Sequence, residues 1–154
     1  MNKEMEVEII SKFKEIIKSY PKNRLKYIHW KSVRNFIYHL NNFPDNPDKS
    51  KIEIRLLEYI EIVDKSSVIN TSQDSLNLFN AYLQPTGKLY EHYLDFHVVA
   101  KTSTILFGSL IIVVALYFLN ANYLFYIGLI FIDFTIIYRH YYFAKQMKSY
   151  SLMY

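Results

Sequence analysis

The sequence predicts an all-α chain in two parts, an N-terminal cytosolic helical bundle followed by a C-terminal two-helix transmembrane hairpin. No charged residue lies between Thr102 and Ile132, and the one strongly polar break in that stretch is Asn120-Ala121-Asn122. Upstream, apolar residues recur at helical spacing among many charges, as in Ile9, Ile10, Phe13, Ile16 and Ile17.

A helix needs ~20 apolar residues, rising 1.5 Å each, to cross about 30 Å of hydrocarbon. The uncharged stretch therefore reads as two short spans, about residues 102–119 and 123–138, joined by a tight turn. Backbone groups in lipid must be satisfied within helices or closed barrels, and LIIVVALYFL and YIGLIFI lack the alternation of a barrel strand. Lys101 precedes the first span, Arg139, Lys145 and Lys148 follow the second, and the turn is uncharged. The positive-inside rule then predicts a multi-pass protein of the inner (plasma) membrane, with both termini cytoplasmic and lipids as partners.

The division predicted is a cytosolic four-helix sensor or regulatory domain over residues 1–86, then a stalk, the hairpin and a short cytosolic tail over 87–154. In the first helix, residues 3–19, Glu4, Glu6 and Glu8 stand at the start and Lys14 and Lys18 near the end, as the helix dipole favours, and Pro21 closes it. A second helix is expected from about residue 23 to 41, with Leu25, Ile28, Phe36 and Leu40 inward. After the turn cluster Phe43–Asp48, Ser50 and Glu53 resemble a capping box opening a third helix to about Lys65. Thr71 with Asp74, or Ser72, opens a fourth, which Pro85-Thr86-Gly87 should stop. From Lys88 nothing breaks the pattern before Asn120, so a continuous stalk, a lever about 45 Å long, is expected.

Composition excludes several chemistries. The 154 residues contain no cysteine, which removes disulfides, thiolate metal sites and cysteine nucleophiles. The five histidines, at 29, 39, 92, 97 and 140, have no metal-ligand spacing, and the three glycines are isolated, so no phosphate loop forms; neither metal nor cofactor is expected. The N-terminus has early glutamates in place of a basic leader, so the first hundred residues are expected to stay in the cytosol.

Three features carry candidate function. Asp133 is the single acid inside the apolar region, and intramembrane acids face a bundle interior or a wet cavity unless they snorkel to the interface. Tyr126, Ile130, Asp133, Ile137 and His140 share one helical face, the expected pore or oligomer face. The second feature lies between Pro21 and Asn42, where five Lys or Arg occur without an acid. Arg24, Tyr27, Lys31, Arg34 and Tyr38, flanked by Trp30, fall on one face of the expected second helix. Interleaved cations and aromatic rings suit a phosphate-bearing ligand with stackable bases, a nucleotide or oligonucleotide signal, or anionic lipid; a plain solvated face fits too.

The third is Arg34-Asn35-Phe36-Ile37-Tyr38-His39, an arginine and polar neighbour with a histidine five residues on. It resembles the motif of HEPN ribonucleases, helical bundles that dimerise; that resemblance implies Arg34 and His39 acting on a scissile phosphate. The whole layout, a helical domain fused without a linker to a membrane hairpin, resembles the small transmembrane effectors of bacterial antiviral systems. This implies an oligomeric channel or membrane-disrupting effector gated through its cytosolic domain. Alternatives are a membrane-tethered HEPN-like ribonuclease and a non-enzymatic adaptor that recruits a soluble protein partner.

Overall fold

The computed structural model describes residues 3–65, 69, 71–99 and 102–151, and the chain is mostly helical. Helix α1, Lys3–Ser19, buries Ile9, Phe13 and Ile16 and packs against α3, Pro47–Lys65. Lys12 links the two, at 2.7 Å from Glu8 and 3.7 Å from Glu61.

The expected helix over residues 23–41 is broken. A short 3-10 turn, Leu25–Ile28, leads to His29, whose φ of 45° is left-handed, and only then does α2, Trp30–His39, begin. A left-handed residue cannot propagate an α-helix, and the break lets His29 point fully into the interior. Ile28, Phe36 and Leu40 are buried as expected, and the Tyr59 hydroxyl donates to Ile28 O.

Helix α3 opens earlier than the Ser50 box predicts. Asn46 Oδ1 accepts from the N–H of Asp48 at 3.0 Å and of Lys49 at 3.2 Å, and Pro47 takes the first helical position, where a missing N–H is harmless. Helix α4, Ser72–Leu78, is capped as expected, Thr71 Oγ1 accepting from Asp74 N at 3.0 Å.

Pro85-Thr86-Gly87 does not stop the chain. A π turn, Phe79–Leu83, runs into α5, Gln84–Leu94, placing Pro85 in the first turn of α5. The widened turn provides for the donor that proline lacks. Nor is there a continuous stalk: Asp95, at φ 56°, closes α5, and Phe96 N donates back to Tyr90 O at 3.3 Å. The expected lever is therefore absent.

Two apolar helices follow. Helix α6, Thr102–Phe118, is apolar but shorter, its 17 residues reaching about 25 Å against about 30 Å of hydrocarbon. Helix α7, Tyr123–Lys145, has 23 residues and is, among the described residues, the one helix long and apolar enough to cross a membrane. Its tight turn from α6 uses Asn120 at φ 50° and Asn122, whose Oδ1 accepts from Leu124 N at 3.2 Å. No described residue of α7 is buried, whereas Phe118 and Leu119 are 77 % exposed and Phe134 70 %, the reverse of a soluble core helix.

The described chain after α7, residues 146–151, is structural rather than a free tail. Ser149–Tyr150 (β2) pairs in parallel with His97–Val98 (β1), His97 opposite Ser149 and Val98 opposite Tyr150. Tyr150 enters the core between Phe36 and Phe79, with ring centroids 5.5 Å and 6.1 Å away. The segments leading into α6 and out of α7 are thus fastened to each other and into the bundle.

Candidate functional site

The described residues form two places of functional interest, a groove on the bundle and the root of the helical pair. The groove lies between α1 and α2 and encloses about 570 Å³, within the ordinary size of a small-molecule site. Ile10, Phe13 and Ile17 form one wall, and Trp30, Ile37 and Tyr38 the other. Helical periodicity presents these faces, since 10, 13 and 17 on α1, and 30, 34, 37 and 41 along α2 and the turn that follows it, recur at spacings of three and four, with 38 beside 37. Lys14, Lys18 and Arg34 stand on its edge and are exposed, whereas its one acid, Glu6, is buried.

Of the residues expected to bind a ligand, Trp30, Arg34 and Tyr38 line this groove. Arg24 and Tyr27 fall on the far side of the His29 break, and Lys31 lies outside the lining, so the single face drawn on an unbroken helix does not exist. The aromatic faces are already covered by the chain's own cations. Arg24 and Lys26 lie 5.7 Å and 4.9 Å from the centre of the Tyr27 ring, and Lys31 and Arg34 lie 5.9 Å and 5.2 Å from Trp30. A base stacking on these rings would first displace a cation–π contact worth about 0.5–1 kcal/mol.

Arg34 and His39 do not meet in a common site. Arg34 is exposed over Trp30, while His39 is buried, its Nε2 3.1 Å from Gln146 O and its ring edge-on to Phe96 at 5.4 Å. The polar neighbour, Asn35, is also turned inward and donates to Ser149 O at 2.7 Å. Within the motif Arg34 reaches Asn35, donating to its Oδ1 at 3.4 Å, while Asn35 and His39 hold the segment after α7.

That anchoring extends to His29. Its Nδ1 is 3.3 Å from Ser151 O and its Nε2 is 2.9 Å from Ser75 Oγ and 3.0 Å from Ser75 O. The neutral ring has one N–H, which can donate from Nδ1 to Ser151 O, with Nε2 then accepting from the Ser75 hydroxyl, or from Nε2 to Ser75 O. Burial, opposed by the two carbonyls, holds His29 below its ordinary value of 6.5. A group held neutral when folded contributes its full stability above the unfolded value and loses it as pH falls from 6.5 toward the lower folded value. We expect urea midpoints to fall on acidification below pH 6.5, and a His29→Gln variant to lose that part of the slope.

On α7, Asp133 faces α6. Its Oδ1 accepts from Ser109 Oγ at 2.7 Å, so this acid of the apolar helix finds its partner in the same chain. Tyr126, Ile137 and His140 are likewise half-buried, and only Ile130 of the expected pore face is fully open, at 68 % exposed. At the root, His97 stacks on Phe143 at 4.8 Å and lies 6.1 Å from His140, whose Nδ1 is sealed from solvent without a hydrogen-bond partner among the described residues. No group of three or more potential metal ligands occurs among the described residues.

Some of this is readable from the sequence. Ser109 and Asp133 are each twelve positions from Ala121, so folding the stretch about its turn pairs them. A glycine at 87 within a helical pattern signals close approach, here to Tyr150. Comparison with protein families, curated proteins and solved structures finds no match for the chain.

Proposed function

We propose that the chain is a membrane-embedded effector in which α6 and α7 together enter the bilayer and the helical bundle controls how they assemble. The observation that carries this reading is the β1–β2 pairing, which roots both ends of an apolar, outward-facing helical pair in one core. A change in the bundle would then move both helices together, through short rigid joints in place of a long lever. The bare outer faces of α6 and α7 are where lipids or further copies would pack, with the close approach that Gly108 and Gly128 allow: an added Cβ at either meets no atom within 4 Å. Assembly into a permeability path, the cytoplasmic placement of the bundle and a signal received at the bundle complete the proposal.

One observation favours the adaptor as a second reading. Asp133 is satisfied by Ser109 within the chain, so an oligomer is not required to shield it. No observation favours the ribonuclease reading in the same way: Arg34 lies over Trp30, while His39 is buried against Gln146 O.

Reconstitution into liposomes separates the two. The effector predicts assemblies of several copies and release of an entrapped dye, altered when Tyr150→Ala loosens the root. Monomers that insert yet release nothing would leave an anchor for a soluble partner. Failure to float with the vesicles would sink both.

A further inference from the structure

The groove between α1 and α2 belongs to neither the helical pair nor its root, and its chemistry is two-fold. The walls are apolar, from Ile10, Phe13 and Ile17 on one side and Trp30 and Ile37 on the other, while Lys14, Lys18 and Arg34 stand at the edge. No carboxylate within ion-pairing distance of these three cations is found among the described residues. The charge is also polarised along α1. Glu6 precedes Lys14 by eight residues, about 12 Å of helix, and Lys18 follows one turn on, so the cations mark one end of the groove.

We infer that this groove is a binding site for an anionic single-chain lipid drawn from the bilayer, its acyl chain along the apolar walls and its headgroup at Lys14, Lys18 and Arg34. A volume of about 570 Å³ suits one chain and a polar head. An apolar slot with cations at one end complements an amphiphile with one charged end, whereas a polar nucleotide would leave these walls unmatched. The source lies near at hand, since the segment that lines the groove is also tied to the end of α7. Tyr38 and Asn41 line the groove on either side of His39, and His39 Nε2 meets Gln146 O immediately after Lys145 ends α7. The inference rests on the membrane reading only for where the lipid comes from.

Trp30 is the one tryptophan of the chain and lies in the groove wall, so its fluorescence reports occupancy. The full chain is placed in zwitterionic nanodiscs; co-elution with the discs tests the membrane reading by itself. Lysophosphatidylglycerol with a brominated acyl chain is then titrated, because bromine quenches a tryptophan it touches. Quenching is expected, with the brominated zwitterionic lysophosphatidylcholine about tenfold weaker. The exposed pair Lys14→Glu/Lys18→Glu should weaken the anionic lipid about tenfold, while the thermal unfolding midpoint falls only slightly through the loss of favourable charges near the end of α1. Ile17→Glu, on the half-buried wall, should abolish quenching by both lipids. Equal quenching by both headgroups, unmoved by the lysine reversals, would mean simple partitioning and overturn the inference. So would silence toward lipid accompanied by a Trp30 blue shift on adding an acidic amphipathic peptide, which would assign the groove to a protein helix.

Discussion

Replacing Tyr150 by alanine should destabilise the helical bundle by about 3–5 kcal/mol, the usual range for removing a large buried aromatic side chain. Tyr150 is 2 % exposed although it lies beyond the last helix. Its ring packs on Phe36 and Phe79, and its hydroxyl donates to Glu91 at 3.0 Å. Burial, reinforced by Glu91, pushes the hydroxyl above its ordinary value, so it stays protonated and remains the donor. Truncation would empty the centre of the core, where Phe36 also meets Tyr90 at 4.8 Å and Phe96 at 5.6 Å. Urea unfolding followed by near-ultraviolet circular dichroism measures the loss. A change under about 1 kcal/mol, far below that range, would mean that the segment after α7 does not occupy the core.

The same substitution addresses how the apolar pair is held. With the Tyr150 side chain gone, Val99 N donating to Tyr150 O at 2.9 Å and His97 N donating to Lys148 O at 3.0 Å remain, because they involve main-chain atoms. Two such bonds form no stable sheet alone. The ring fixes them together with the Asn35 bond to Ser149 O and the His29 contact to Ser151 O, and its loss should raise amide exchange at His97 and Val99 before it does so in α3. Stability here is local as well as global, and the root is where the two meet.

The elements legible in the sequence are those determined by nearby residues. Periodicity defines α1, and Thr71 with Asp74 defines the start of α4. The uncharged stretch about Asn120 locates the turn and the start of α7, although α7 runs on to Lys145, with no glycine or proline after Gly128 to stop it. The features that escape a reading of the sequence are set by distant partners. His29 carries no local signal for a left-handed conformation; its place follows from Ser75 and Ser151, which are 46 and 122 residues away. Pro85 breaks helices by its own chemistry, yet the π turn before it accommodates it. Two-residue strands cannot show a period of two, so Ser149–Tyr150 reads as a polar end. The groove is half visible: spacing picks out Trp30, Arg34 and Tyr38, but the opposite wall on α1 looks like core alone.

Gly87 provides the sharpest test of this packing, because two local rules give opposite signs for Gly87→Ala. Inside a helix, alanine is favoured over glycine by about 1 kcal/mol, and Gly87 is an interior residue of α5 with no unusual φ. Here, however, an added Cβ would lie 2.3 Å, 2.5 Å and 2.7 Å from Cζ, Cε2 and Cε1 of Tyr150. The ring cannot turn aside, being held by Phe36, Phe79 and the Glu91 hydrogen bond. Overpacking of this kind costs about 1–3 kcal/mol, enough to outweigh the propensity gain. The double variant Gly87→Ala/Tyr150→Ala separates the causes. Without the ring, the methyl group added at position 87 enters vacated space, and the propensity term should reappear as a small gain over Tyr150→Ala alone. The cycle should therefore show a coupling of at least about 1 kcal/mol between residues far apart in the chain. An additive cycle would place the Tyr150 ring away from Gly87, and with it the segment that roots α7 in the bundle.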